Sequence, residues 1–139
     1  MSIKASYSTP IMHVGEIETS IKFYQLLGFE VVDTDRCTPL GWARLHVEGG
    51  GIMFLRAEKP VDPSVQAMLL YMYTPDLVGL REQLLASGAK ANPITYPGYM
   101  PSGEMRLTDP DGYVILIAHW GKPEQETWEK RIAGNKNIT

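Results

Sequence analysis

The spacing of hydrophobic residues changes along the chain, and these changes predict which segments are strands and which are helices. Residues 8–14 form a short apolar, β-permissive run, which predicts a strand. From 16 to 27 the apolar residues recur at helical spacing, which predicts an amphipathic helix with one buried stripe. Gly28 suits the left-handed helix stop that follows. Three β-like runs come next, FEVV, WARLHV and IMFLRA, so the predicted unit is β-α-β-β-β.

The same order of elements recurs about 60 residues later. The run MLLYMY precedes a second helical pattern at 75–87, and Gly88 follows that pattern as Gly28 follows the first. The dipeptide RL of the strand WARLHV returns in EMRLT, and the turn EGGG before IMFLRA is matched by DPDG before YVILIAH. These matches predict an internal duplication of one α/β module.

The duplication predicts an α+β fold in which two β-α-β-β-β repeats form a curled mixed sheet. We expect a single domain, 1–139, with modules at 5–60 and 64–121. Each module presents one helix-covered and one open sheet face, and two open faces can enclose a cavity of the kind that binds small ligands. Residues 122–139 are expected to add a short C-terminal helix and a tail, because Pro123 suits a first helical turn and acidic residues precede basic ones.

Composition and charge narrow the classes of partner. The chain has 44% hydrophobic and 21% charged residues, as globular proteins do, and a formal net charge of −3 gives no positive field for nucleic acid or an anionic membrane. A single cysteine, Cys37, allows no internal disulfide and no paired-cysteine metal site. No signal-like or membrane-spanning apolar segment is evident, so we expect a cytoplasmic protein with a small-molecule or protein partner.

Two segments carry a family resemblance, MHVGEIETSIKFYQLLGFEVV at 12–32 and GEMRLTDPDGYVILIAHW at 103–120. They resemble the opening strand and helix, and the last hairpin, of the vicinal-oxygen-chelate superfamily of glyoxalases, bleomycin resistance proteins and extradiol dioxygenases. With the repeat, the resemblance spans about residues 5–121. It implies the fold described above and a homodimer, for which Met12 and Trp120 are candidate exposed contacts. On their own chemistry, the residues of DPDG suit a tight turn.

The resemblance also implies where a metal would bind in the metal-using members of this superfamily. One ligand lies on the first strand and one on the last strand of each module, and all four converge on a divalent ion. Here the corresponding positions are Thr9, Leu69, Leu116, and Met53 or Phe54. None supplies the imidazole nitrogen or carboxylate oxygen that such an ion prefers. We therefore expect no metal and no other cofactor, although a site rebuilt on His13 and His46 is an alternative.

Strand alternation and the resemblance together select the candidate ligand-binding residues. His13 shares the inner face of its strand with the metal positions and is the candidate catalytic residue, either as a hydrogen-bond partner or as a proton acceptor. His119 has the opposite parity and is expected to be a structural or interface residue. Arg44 and Arg106 could bind an anionic group of the ligand, or could form ion pairs with Glu48 or Glu104 at the surface. The candidate ligand-binding set is His13, Trp42, Arg44, Met53, Tyr96, Tyr99, Arg106 and Leu116.

The proline- and tyrosine-rich segment 92–103 is predicted to be a loop that serves either as a lid on the ligand or as a subunit contact. The leading hypothesis for function is a metal-free binding protein for a small aromatic or anionic molecule, as in the bleomycin-resistance branch. One alternative is a metal-dependent lyase, isomerase or dioxygenase. The other is a metal-independent enzyme with His13 as general base and an arginine stabilising negative charge.

Overall fold

The computed structural model describes residues 2–135, which form two compact units. Unit 1 contains the chain up to Gln66 together with Asp109–Gly112, and unit 2 contains Ala67–Thr108 and the chain from Tyr113 onward. The units follow the two repeats of the sequence except at the turn Asp109–Gly112, which groups with the first. None of the helices within residues 2–135 is long and apolar enough to cross a membrane.

Unit 1 is a mixed four-stranded sheet covered on one face by a helix. Its sheet order is β1-β4-β3-β2, with β1 parallel to β4 and the other pairs antiparallel. Buried side chains alternate along β1, β3 and β4, and they pack beneath the helix as the period-two pattern requires. The elements are β1 Ile11–Val14, α1 Ile17–Gln25, β2 Glu30–Thr34, β3 Trp42–Val47 and β4 Gly50–Arg56, followed by a short 3₁₀ turn at Pro63–Val65.

Helix α1 is joined to the turn Asp109–Gly112 by hydrogen bonds at three points. The amide of Gly15, just before the helix, donates to Asp111 Oδ1 over 2.8 Å, and Ser20 Oγ lies 3.5 Å from Asp111 Oδ2. The fully buried Tyr24 hydroxyl donates to Asp109 Oδ2 over 2.8 Å. A carboxylate at a helix N-terminus also complements the helix dipole. The DPDG turn therefore has a structural role in unit 1.

Unit 2 has the same plan with one strand fewer. Its sheet order is β5-β7-β6, with β5 parallel and β6 antiparallel to β7. The strand expected between the helix and β6 is reduced to isolated bridges, Ala91 with Leu107 and Thr95 with Glu104. Pro93 and Pro97 lack the amide donors that a continuous ladder needs, which explains the difference. The elements are β5 Leu70–Thr74, α2 Leu77–Ala86, β6 Glu104–Thr108, β7 Val114–His119 and α3 Lys122–Gly134.

The predicted helix stops are confirmed, since Gly28 and Gly88 both have positive φ, 98° and 83°. The predicted C-terminal helix is present as α3, whereas the end of the expected tail, 136–139, lies outside the described residues. The expectation that Met12 is exposed for a subunit contact is wrong. Met12 is 6% exposed because its parity is that of Val14, on the helix-covered face of β1. The enclosed cavity expected from the repeat stays a prediction.

Candidate functional site

The open face of unit 1 gathers half of the predicted ligand-binding residues. Ile11, Met53 and Arg44 are register partners and form one row across β1, β4 and β3. The next row along the same strands is formed by register partners His13, Leu55 and Trp42. All six alternate with buried residues and are half-buried or exposed. Strand alternation therefore brings His13, Trp42, Arg44 and Met53 to one surface, as predicted.

One nitrogen of the Arg44 guanidinium on this face has no hydrogen-bond partner among the described residues. This atom, Nε, is shielded from solvent. An ion pair with Glu48 was one alternative, and none is found for Arg44 among residues 2–135. A desolvated donor without an acceptor costs about 1–3 kcal/mol. An anion bound at this position would remove that cost.

The open face of unit 2 carries Leu116 and Arg106 together with two tyrosines that sequence reasoning missed. Register places Leu116 between Tyr71 on β5 and Arg106 on β6. The rings of Tyr71 and Tyr73 are 5.4 Å apart, and Tyr73 lies 5.8 Å from the ring of Trp120. The alternation in LYMYT contained the signal, because it sets both tyrosines on the face opposite to Met72.

A buried carboxylate organises the tyrosines of this face. Glu104 is 7% exposed and accepts hydrogen bonds from the Tyr71 hydroxyl at 2.6 Å and the Tyr99 hydroxyl at 2.8 Å. Burial first, and then the bond to Glu104, raises the pKa of Tyr71. The bond to Glu104 also raises the pKa of Tyr99. Among residues 2–135 no ion pair joins Glu104 to an arginine, which was the surface alternative, and the bond from Tyr99 links the loop that contains this tyrosine to the sheet.

The remaining predicted residues have other surroundings. Tyr96 is 67% exposed, and its ring lies beside Gly103 at the start of β6. His119 is on the helix-covered face, where its Nδ1 accepts from the Leu77 amide over 3.4 Å and its Nε2 lies 3.8 Å from Glu124 Oε1. The structural role expected for His119 is thus supported by its contacts at the start of α2.

A family model and several solved structures match this chain. The model of the Glyoxalase/Bleomycin resistance protein/Dioxygenase superfamily matches residues 9–117, most of the described chain and both open faces. The chain belongs to this superfamily. No curated protein matches it.

The solved structures share the superfamily fold at low sequence identity. A bleomycin-binding protein complexed with bleomycin is 19% identical with a TM-score of 0.67, over 84% of this chain and 99% of that chain. A bleomycin resistance determinant encoded on transposon Tn5 is 20% identical with a TM-score of 0.67, over 82% and 97%. A fosfomycin resistance protein of Listeria monocytogenes, complexed with Mn(II), is 12% identical with a TM-score of 0.65, over 92% and 99%.

The residues of this superfamily member do not fit a divalent metal. Phe54 is fully buried, so the open-face position on β4 is Met53, whose thioether is a poor ligand for hard ions. His13 and His46 are register partners of Leu55 and Gly51, so they are separated by about 13 Å along the strands and a further ~10 Å across them. No three His, Cys, Asp or Glu side chains within 2–135 are grouped to hold an ion.

Proposed function

We propose that the protein binds a small organic molecule that carries both an aromatic ring and an anionic group, and that it does so without a metal. The site is the open face of unit 1. The observation that carries the proposal is the solvent-shielded Nε of Arg44, which has no hydrogen-bond partner among the described residues. A carboxylate or phosphonate would accept this donor and neutralise the guanidinium.

The neighbours of Arg44 suit the rest of such a ligand. Met53 lies beside Arg44, and Leu55 and Trp42 occupy the next row, so an apolar surface with one indole adjoins the charged group. A ring can stack on Trp42 at small entropic cost, since tryptophan has few rotatable bonds. His13 is a neighbour of Leu55, and its imidazole adds a polar group to the same face.

The relatives supply a precedent for binding on this fold. The bleomycin-binding protein was solved in complex with bleomycin, and the match covers 84% of this chain. At 19% identity this similarity supports a shared fold only. The ligand of the present chain has to be inferred from its own side chains. Those side chains favour binding by charge, stacking and shape over metal-assisted catalysis.

Calorimetric titration with ring-bearing anions tests the proposal. We expect phenylphosphonate or naphthoate to bind more tightly than neutral alcohols with the same ring, because only the anions can pair with Arg44. Replacing Arg44→Met removes a charge-assisted hydrogen bond of about 1.5–3 kcal/mol and should weaken anion binding about 10- to 100-fold.

The matched control is Arg56→Met, the same chemical change at the end of β4 with the parity of the covered face. This variant should bind the anions as the unchanged protein does. Equal affinity for charged and neutral ligands, or equal loss in the two arginine variants, would contradict the proposal.

A further inference from the structure

Unit 2 contains a groove between α3 and the loop segment 99–102. Its volume of about 270 Å³ is just below the range of about 300–1,000 Å³ of sites for drug-sized ligands, so a smaller molecule fits it. The family model ends at residue 117, so the α3 wall of the groove lies beyond the region that the model describes. The lining residues are Tyr99, Met100, Pro101, Ser102, Trp120, Pro123, Glu124, Thr127, Trp128 and Arg131.

Three aromatic rings line this groove, and hydrogen bonds hold two of them in place. The indole of Trp120 donates to Gln125 Oε1 over 2.8 Å, and the Tyr99 hydroxyl donates to Glu104 over 2.8 Å. The third ring is that of Trp128, which is 45% exposed. Because the polar groups of Trp120 and Tyr99 already have partners, these two side chains offer a ligand their π-faces, in orientations fixed beforehand.

A carboxylate lies in the same groove. Glu124 has a side chain that is 21% exposed, and it accepts from the Gly121 amide at 2.8 Å and from Ser102 Oγ at 3.0 Å. The bond from the Gly121 amide lowers the pKa of Glu124, so the carboxylate is ionised at neutral pH. Arg131 is two helical turns further on, about 10 Å along the axis, and no ion pair joins it to Glu124 among residues 2–135. The negative charge therefore remains available to a ligand.

We propose that this groove binds a small organic cation with a methylated ammonium group, which lies between the three rings with the Glu124 carboxylate beside it. Aromatic faces attract cations, and quaternary ammonium ligands are recognised in this way. The methyl groups of such a ligand need apolar contacts, which the rings and the thioether of Met100 provide. The proposal is independent of anion binding on unit 1, because every residue that lines the groove belongs to unit 2.

Choline and its neutral analogue, in which a tert-butyl group replaces the trimethylammonium group, are the probes. The two molecules have nearly the same shape and differ in charge. We expect choline to bind with a dissociation constant of about 1 mM or below, and the neutral alcohol to bind at least about 5-fold more weakly. In an NMR titration, choline should shift the indole N–H signals of Trp120 and Trp128 and leave that of Trp42 unchanged. Equal affinity for the two probes, or no shift at about 10 mM choline, would overturn the proposal.

The charge of Glu124 has a matched test. Glu124→Gln keeps an acceptor for the Gly121 amide but removes the charge, so it should weaken choline binding about 5-fold and leave the neutral alcohol unaffected. Glu126→Gln removes the same charge two residues further on, on the other side of the helix, and should not change choline binding. Circular dichroism checks that α3 remains helical in both variants. Equal losses in the two variants would show that Glu124 has no particular role and would refute the site.

The rings and Arg131 provide a second set of variants. Trp128→Leu should weaken choline binding about 3- to 30-fold, and Trp128→Phe, which keeps a ring, should weaken it less. Arg131→Gln should bind choline at least as tightly as the unchanged protein, because a like charge is removed. Weaker binding by Arg131→Gln, or equal losses in the two Trp128 variants, would exclude a cation held by the rings.

The two proposed sites can fail separately. Phenylphosphonate, which we expect on the open face of unit 1, should shift the indole signal of Trp42 and leave that of Trp128 unchanged. Choline should do the reverse. A phenylphosphonate response without a choline response would therefore refute the groove site alone.

Discussion

The hydroxyl of Tyr24 meets the carboxylate of Asp109 inside unit 1, where the two residues are 0% and 5% exposed. A buried carboxylate is stable only when hydrogen bonds replace its lost hydration. Asp109 also accepts from the Asp111 amide at 2.9 Å, so its two oxygens have different partners. The hydrogen bond from Tyr24 therefore replaces part of the hydration that Asp109 Oδ2 loses on burial.

This contact can be measured with a double-mutant cycle. We expect Tyr24→Phe and Asp109→Asn each to lower the free energy of unfolding, and the pair to show a coupling of about 1–2 kcal/mol in urea denaturation. Tyr7→Phe is the control, because Tyr7 is fully exposed and its hydroxyl should contribute nothing measurable. Strictly additive losses would show that the two side chains do not interact.

Glu104 offers a second test at the residue scale, through the ionisation of tyrosine. Burial of Tyr71 and its bond to Glu104 raise the pKa of that phenol above its usual value of 10.0. In spectrophotometric titration Tyr71 should ionise at higher pH than an unperturbed phenol, and Glu104→Gln should move its titration to lower pH. A Tyr71 phenol that ionises at the usual value of 10.0 in both proteins would contradict this account.

The same shift predicts a direction for alkaline stability. The pKa of Tyr71 is higher in the folded chain than in the unfolded chain, so the folded chain retains its proton when the unfolded chain has lost it. The resulting stabilisation is complete below pH 10.0 and declines as pH rises through the folded value. Unfolding by urea at increasing alkaline pH should show a smaller decline in the Glu104→Gln variant.

At the scale of elements, two glycines in turns make a matched pair. Both Gly49 and Gly112 have positive φ, 79° and 92°, which L side chains adopt with strain. A Cβ at Gly49 would meet open space, whereas one at Gly112 would lie 2.5 Å from Pro63 Cβ. We expect Gly49→Ala to cost about 1 kcal/mol and Gly112→Ala about 2–4 kcal/mol in unfolding free energy. Equal costs would mean that the contact with Pro63 gives way easily.

Local sequence signals predicted most elements, because buried side chains alternate along β1, β3 and β4 and apolar residues recur at helical spacing along α1. The helix of residues 16–27 was placed within two residues of α1, and the pair Gly28 and Gly88 marked both helix ends. The segment 92–103 was predicted to be a loop, but the module at 64–121 was still expected to contain a strand after its helix, and only isolated bridges are found there. A hydrophobic pattern does not show whether a segment has the amide hydrogens that strand pairing needs. Prolines have none, so the segment after α2 does not form a continuous strand beside β6.

The sequence predicted which residues lie on the candidate face, but it did not predict the hydrogen bonds of Glu104. Parity placed His13, Trp42, Arg44 and Met53 on one face correctly, because register within unit 1 follows from alternation. The partners of Glu104 were missed, since the bond from Tyr99 depends on the path of an irregular loop. Similarly, nothing in the DPDG sequence revealed that its aspartates would bind α1.

At the scale of the whole molecule, membership of a superfamily with metal-using relatives makes metal removal informative. The described residues hold no constellation of three donors, so stability should not depend on a bound ion. Dialysis against EDTA should leave the midpoint of thermal unfolding within about 1 °C, and untagged protein should contain well below one equivalent of transition metal. A fall of several degrees that zinc or manganese reverses would contradict the metal-free proposal.

The grouping of Asp109–Gly112 with unit 1 has a consequence for how the protein is made. During synthesis at about 5–20 residues per second, the sheet of unit 1 leaves the ribosome seconds before the turn that completes it. Until then Tyr24 and Gly15 lack the carboxylates that they contact in the finished protein. The nascent first half therefore remains without three of its native hydrogen bonds until synthesis has passed residue 111.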